Sequence, residues 1–155
     1  MTPSTRPATR QSVAAIVLLR DDGAALMQHR DDKPEIPHPN TWVPPGGHCE
    51  DGESIEACAR REFYEETNYR LGDLHLLTQF EDDHAGPRFP PLQLAVFWGR
   101  YDGLQPVDCR EGQALEFIPR DQADRYRIPQ YLVDLWDQAL VAASCDPARA
   151  GAADA

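Results

Sequence analysis

A chain of 155 residues has room for one domain with one substantial core. Its formal net charge of −11 has the wrong sign for a protein that tracks DNA or RNA by neutralising phosphates. An acidic protein can still take a phosphorylated small molecule where metal ions supply the positive charge.

Residues 1–11 are polar, carry two prolines and read as a flexible arm. The apolar run Val13 to Leu19 has the length of a central strand and is far too short to cross a bilayer. Asp21-Asp22-Gly23 is a turn signal, so Ala24 to Arg30 is expected to return as the second strand of a hairpin. Residues 31–41 hold three prolines and form a loop; a loop this long in a small domain is placed to cover a ligand pocket. Trp42 to Pro45 is short and extended, and Gly46-Gly47 permits a tight turn or a close backbone approach.

A helix is expected from Ser54, a good N-cap, to about Thr67, with Asn68 at a left-handed C-terminal position. Strands follow over Leu74 to Glu81, Leu92 to Tyr101 and Leu115 to Ile118. After Pro129, Tyr131, Leu132, Leu135, Trp136, Ala139 and Leu140 form the apolar stripe of a final amphipathic helix. The order hairpin, loop, helix, strands, helix predicts an α/β fold with a mixed β-sheet covered by helices. Residues 12–145 make up the domain, and 146–155 read as a flexible tail.

Cys49, Cys58, Cys109 and Cys145 form no C-x-x-C pair and no zinc-like spacing with histidines. Reduced thiols are therefore expected, and with no apolar leader segment the protein reads as soluble and cytoplasmic.

The chemistry concentrates in Arg61-Glu62-Phe63-Tyr64-Glu65-Glu66. With Ile55 at 0° and 100° per residue, Glu62 falls near about −20°, Glu66 near about +20° and Glu65 near about −80°. Glu62 and Glu66 thus share the inward face with Cys58, Ala59 and Phe63. Carboxylates buried without a partner cost several kcal/mol, so a divalent cation is a better reading than a solvated acidic face.

Gly47-x5-Glu53-x7-Arg61-Glu62-Phe63-x-Glu65-Glu66-x-Asn68-Tyr69 resembles the Nudix box, G-x5-E-x7-R-E-U-x-E-E-x-G-U, with U bulky and apolar. Six matches in register by chance have a probability on the order of 10⁻⁷ per start site if each residue type occurs about once in fifteen. The lead-in Trp42-Val43-Pro44-Pro45-Gly46 is similar to that of the family. Two departures, Asn68 for the box glycine and aromatic Phe63 and Tyr69 at the U positions, leave the acids untouched. Asn tolerates positive φ, so the first costs at most about 1 kcal/mol.

The resemblance implies the Nudix-type α/β/α sandwich and a Mg²⁺- or Mn²⁺-dependent hydrolase that cleaves the diphosphate linkage of a nucleoside diphosphate derivative. Carried over by position, Glu62, Glu65 and Glu66 would be metal ligands, with the Gly46 carbonyl a further one. Arg61 would hold the box acids in place, and Gly47 and Glu53 would close the loop–helix motif. Arg110-Glu111-Gly112-Gln113 resembles the segment that supplies an extra acid in the MutT-like branch. Glu111 is then a further ligand or the general base, against the plainer reading of an exposed loop glutamate; Glu116 is its neighbouring contender.

Arg30, Trp42, Phe97 and Gln130 are candidates for binding the rest of the substrate, each with a structural role as its alternative. The short chain favours a nucleoside triphosphate, giving a monophosphate and pyrophosphate. Hydrolysis of ADP-ribose or a nucleotide sugar is the second reading, for which Pro87 lies near but not in the marker position. A non-catalytic nucleotide-binding module is the third, and the intact box acids count against it. The expected partner is a small nucleotide, with no nucleic-acid polymer and no membrane. A homodimer agrees with the family, although nothing in the sequence locates an interface.

Overall fold

The structure is a computed structural model that describes residues 11–146. The arm and tail expected at the two ends lie outside the described residues, apart from Gln11 and Asp146. Seven strands form one mixed sheet: β1 (Ser12–Leu19), β2 (Ala25–His29), β3 (Trp42–Val43), β4 (Gly46–His48), β5 (His75–Asp82), β6 (Leu92–Arg100) and β7 (Ala114–Ile118). Helices α1 (Ile55–Thr67) and α2 (Gln130–Ser144) cover its two faces.

The run Val13 to Leu19 is continuous in apolar residues because β1 is central and buried on both sides. Ala14, Ile16 and Leu18 pack against Cys58, Ala59 and Phe63 of α1. Ala15, Val17 and Leu19 pack against Leu132, Leu135 and Trp136 of α2. Alternation along one strand therefore builds both cores of an α/β/α sandwich. β6 runs parallel to β1 along its whole length. The other pairings, β1–β2, β1–β4, β2–β3, β2–β7 and β5–β6, are antiparallel.

One irregularity makes the site. β1 touches β2 in register only at Leu19 and Ala25, and gives its other end to β4 at Val13, Ala14 and Ala15. Gly46-Gly47, read as a turn or a close approach, is thus part of a strand. Both glycines are tightly confined: a Cβ on Gly46 would run into the Ala14 carbonyl, and one on Gly47 into the Glu62 carboxylate.

The caps of α1 follow the local sequence. The Ser54 hydroxyl accepts from the Ala57 N–H at 3.1 Å, and Asn68 takes φ 61° with its N–H bonded to the Tyr64 carbonyl. Pro129 stands at the N-cap of α2 rather than inside its first turn. A 3₁₀ helix at Arg120–Arg125 was not expected. Among the described residues, no helix is long and apolar enough to cross a membrane.

The expectation of four reduced thiols is overturned. Cys49, in the loop after β4, is disulfide-bonded to Cys58 on the buried face of α1, with Cα atoms 5.1 Å apart. A spacing of nine residues carries no recognisable pairing signal. The bond forms because the loop folds back along the first turns of the helix. Cys109 and Cys145 are free and exposed.

Candidate active site

Arg61 organises the loop–helix motif. Its Nε and Nη2 donate to the two Glu53 oxygens at 2.7 and 2.9 Å, a two-pronged pair that holds the Glu53 carboxyl down at about 2. Nη1 donates to Glu62 at 2.8 Å and, more loosely, to Glu65 at 3.3 Å. Nη2 also reaches the His48 carbonyl, so one guanidinium ties the loop to three helix positions. These partners, Glu53 first, raise the Arg61 pKa above its ordinary value.

One turn further on, Glu66 is 6% exposed. Its Oε1 accepts from the Gln28 amide at 3.1 Å and from the Gly46 N–H at 3.2 Å. Among the described residues no ion pair reaches it. Burial, then the neighbouring Glu111 charge, and to a lesser degree Glu62, push its carboxyl up to about 8.

Glu111 arrives from a distant loop through three backbone devices. Asp108 N–H bonds to the Thr67 carbonyl and Arg110 N–H to the Glu66 carbonyl, which dock the loop on the end of α1. Gly112 then turns at φ 85°, where a Cβ would meet the His29 carbonyl. Gln28 closes the arrangement by donating to the Glu111 carbonyl at 3.2 Å.

These groups open on a cavity of about 360 Å³. Glu62, Glu66, Glu111, Gly46 and Gly47 line its α1 side, while Tyr131 and Leu132 of α2 and Asp82 at the end of β5 line the other. Arg30 is the one Arg or Lys among the lining residues. Its Nε donates to the Pro37 carbonyl at 2.9 Å, and burial lowers its pKa against the pull of Glu66 and Glu111.

Of the residues singled out in the sequence, Gly46, Gly47, Glu62, Glu66, Glu111 and Arg30 meet at this cavity. Glu65 stands outside the lining, 57% exposed, and Arg61 and Glu53 support the wall from behind. Three proposed substrate contacts do not reach the cavity. Trp42 stacks on His29 at 4.6 Å, with Tyr126 against its edge, because it belongs to the short edge strand β3. Phe97 is buried in the core beneath α1, on the opposite face of β6 from the cavity residue Leu94. Gln130 is exposed and donates to Asp134 one turn along its own helix. Glu116 accepts from the Tyr126 hydroxyl on the outside of β7.

Gln28, His38, Asp82 and Tyr131 were missed. Gln28 follows the apolar run Ala24 to Met27, an amide next to core positions that could have been noticed as an exception. Tyr131 was absorbed into the stripe of α2, and Asp82 fell just past the strand expected to end at Glu81.

Among the described residues, no three His, Cys, Asp or Glu side chains converge closely enough to form a ready cation cage. Arg61 occupies Glu62 and Glu65, and Glu66 is bonded instead to Gln28. The donor set nonetheless suits a hard divalent cation. It consists of carboxylate and carbonyl oxygens, one of them a buried carboxylate without a cationic partner.

A mixed sheet between two helices, with an acid-rich loop–helix motif opening on a cavity, defines a Nudix-type α/β/α sandwich. Residues 9–136 match the family model described as NUDIX domain, and the chain belongs to this family. It is a family of hydrolases that act on phosphoanhydride bonds and generally use divalent cations. The chain is 37% identical over 82 residues to the m7GpppN-mRNA hydrolase NUDT17 of Xenopus laevis. That match covers 52% of this chain and 26% of the relative, so the chain spans about a quarter of the relative's length.

A MutT NUDIX hydrolase from Burkholderia pseudomallei superposes with a TM-score of 0.71 at 20% identity, covering 83% of this chain and 97% of that one. The NUDIX domain of Shewanella oneidensis NrtR, solved with ADP ribose, gives 0.71 at 17% identity, covering 90% and 91%. A C. elegans Ap4A hydrolase gives 0.67 at 19%, covering 86% and 98%. At these identities the likeness establishes the fold.

Proposed function

We propose that this chain hydrolyses a nucleoside triphosphate with Mg²⁺ or Mn²⁺, adding water across one P–O–P linkage to give a nucleoside monophosphate and pyrophosphate. One observation carries the reading: Glu66 is buried beside Glu62 and Glu111 at a cavity wall, and among the described residues no Arg or Lys forms an ion pair with it. In this reading Glu62, Glu65, Glu66 and the Gly46 carbonyl are the ligands. Glu111 accepts the proton of the attacking water or adds a further oxygen to the set. A bound divalent cation would neutralise the diphosphate and acidify that water.

Arg61 and Glu53 are positioning residues. They hold the loop against α1 so that Gly47 can receive Glu62, and Gln28 aims Glu66 and fixes the loop that bears Glu111. Glu65 would be free to join the set on release from Arg61, whose contacts to it are long at 3.3 and 3.4 Å. Arg30, the one Arg or Lys in the lining, would meet the phosphates.

The NrtR domain solved with ADP ribose supports a second reading, hydrolysis of ADP-ribose or a nucleotide sugar, and the curated relative's name adds a capped substrate to the candidates. A product-resolved screen of nucleoside triphosphates, ADP-ribose and a cap dinucleotide with Mg²⁺ separates them. Pyrophosphate from a triphosphate is the expected result; AMP from ADP-ribose, with no pyrophosphate from any triphosphate, overturns it. Glu65→Gln is expected to lower kcat/KM by roughly 100-fold or more, and unchanged turnover would remove Glu65 from the ligand set.

A further inference from the structure

Three polar side chains of the cavity lining, His38, Asp82 and Tyr131, are left unused by the hydrolytic chemistry, and His84 packs against two of them. Asp82 is 9% exposed, and its Oδ1 accepts from the His84 ring Nδ1 at 2.6 Å and from the His84 backbone N–H at 2.9 Å. Its Oδ2 accepts from the Tyr131 hydroxyl at 3.2 Å. That hydroxyl lies 3.3 Å from His38 Nε2, which is its donor once the hydroxyl proton is committed to Asp82. The His84 ring lies flat on Tyr131, 3.6 Å between centroids and 3° from parallel.

A carboxylate offers about four acceptor positions, and three are filled here by a rigid frame. The fourth, on Oδ2, belongs to a group that lines the cavity together with His38 and Tyr131. A contact that served only to pin two loops to α2 would not need to open there. Phe89, Pro90, Leu92 and Leu132 add apolar surface to the same lining. Arg30 lines the same cavity, where its charge is felt by Glu66, Glu111 and Tyr131. Acids, one Arg, apolar side chains and one fixed acceptor in a single lining are complementary to the parts of a nucleotide: cation-bound diphosphate and base.

Resting on the reading of this cavity as a nucleotide site, we infer that Asp82, held by Tyr131, His38 and His84, reads the exocyclic amino group of the substrate's base. Adenine, guanine and cytosine present an N–H donor to the open Oδ2 position. Uracil and hypoxanthine present a carbonyl where that donor is needed, and two facing acceptors repel. The discrimination follows from a buried polar group left unsatisfied by the wrong base.

Calorimetric binding of paired nucleoside monophosphates to the wild-type protein tests this without any turnover. CMP is expected to bind about tenfold or more tightly than UMP, and AMP than IMP. Asp82→Asn replaces one acceptor with an amide donor and is expected to cancel or reverse both ratios. Tyr131→Phe keeps the stacking on His84 but removes the hydroxyl; it is expected to shrink both ratios several-fold and decides the matter if the Asp82 variant does not fold. Equal binding within each pair, equal loss for all four ligands in the variants, or no binding of any monophosphate overturns the inference. Failure to hydrolyse any triphosphate would overturn the proposed reaction while leaving these ratios measurable.

Discussion

Burial and two neighbouring acids hold the Glu66 carboxyl at about 8, against an ordinary value of 4.5. A native pKa above the unfolded one means that the folded chain keeps a proton the unfolded chain has released. The resulting stabilisation is complete below about 4.5, shrinks as pH rises, and is gone once pH passes about 8. The metal-free protein is therefore expected to lose thermal stability between pH 5 and pH 8, with Glu66→Gln flattening that slope. Mg²⁺ should raise Tm most at the alkaline end, where the ionised carboxylate meets a cation. A scan of Tm against pH, with and without Mg²⁺, measures all three; a wild-type slope unchanged by Glu66→Gln would show that another group titrates. Glu53 acts in the opposite window. Its carboxyl sits at about 2, so the stability of its pairing with Arg61 is present above about 4.5 and lost as pH falls toward 2.

At the level of elements, the loop between β4 and α1 is held twice, by Arg61 and by the Cys49–Cys58 bond. Arg61 acts on charge and orientation; the disulfide removes chain entropy from the unfolded state. For a ring of this size the entropic contribution is about 2–3 kcal/mol. Urea unfolding in the presence of reductant is expected to show a loss of that order for the wild type and no further loss for Cys49→Ala. Cys49 is the better position to truncate, because it is only partly buried whereas Cys58 packs on Ala59 and Phe63 in the core. An unchanged midpoint under reductant would mean that the helix caps and Arg61 already hold the loop.

The whole molecule carries a net charge of −11 and takes an anionic ligand into a cavity lined by several acids and one Arg. Long-range repulsion opposes association, so binding must come from groups close to the phosphates. Arg30→Met is expected to lower kcat/KM for the preferred nucleotide by about 10- to 100-fold, the range of a lost charge-assisted hydrogen bond. Steady-state kinetics read this directly. An effect on stability alone, with kcat/KM preserved, would assign Arg30 to holding the Pro37 loop.

The sequence by itself determined the strands other than β4, both helices and the phase of the box acids, because each depends on residues a few positions apart. Ser54 and Asn68 cap α1 through neighbours in the chain, and 3.6-residue periodicity alone turns Glu62 and Glu66 inward and Glu65 out. Only the tertiary structure decided what those acids face. Gln28 meets Glu66 across 38 residues, and Tyr131 meets Asp82 across 49 and His38 across 93. Periodicity carries no record of which loops share a cavity. That is settled by how β1 divides its edge between β2 and β4, and by the backbone bonds that dock the Glu111 loop on the end of α1. Trp42 and Phe97 show the same limit from the other side, since an aromatic residue beside a motif can as readily fill an edge or a core. The reaction class is written in local spacing, whereas the molecule that enters is selected by side chains that only packing brings together.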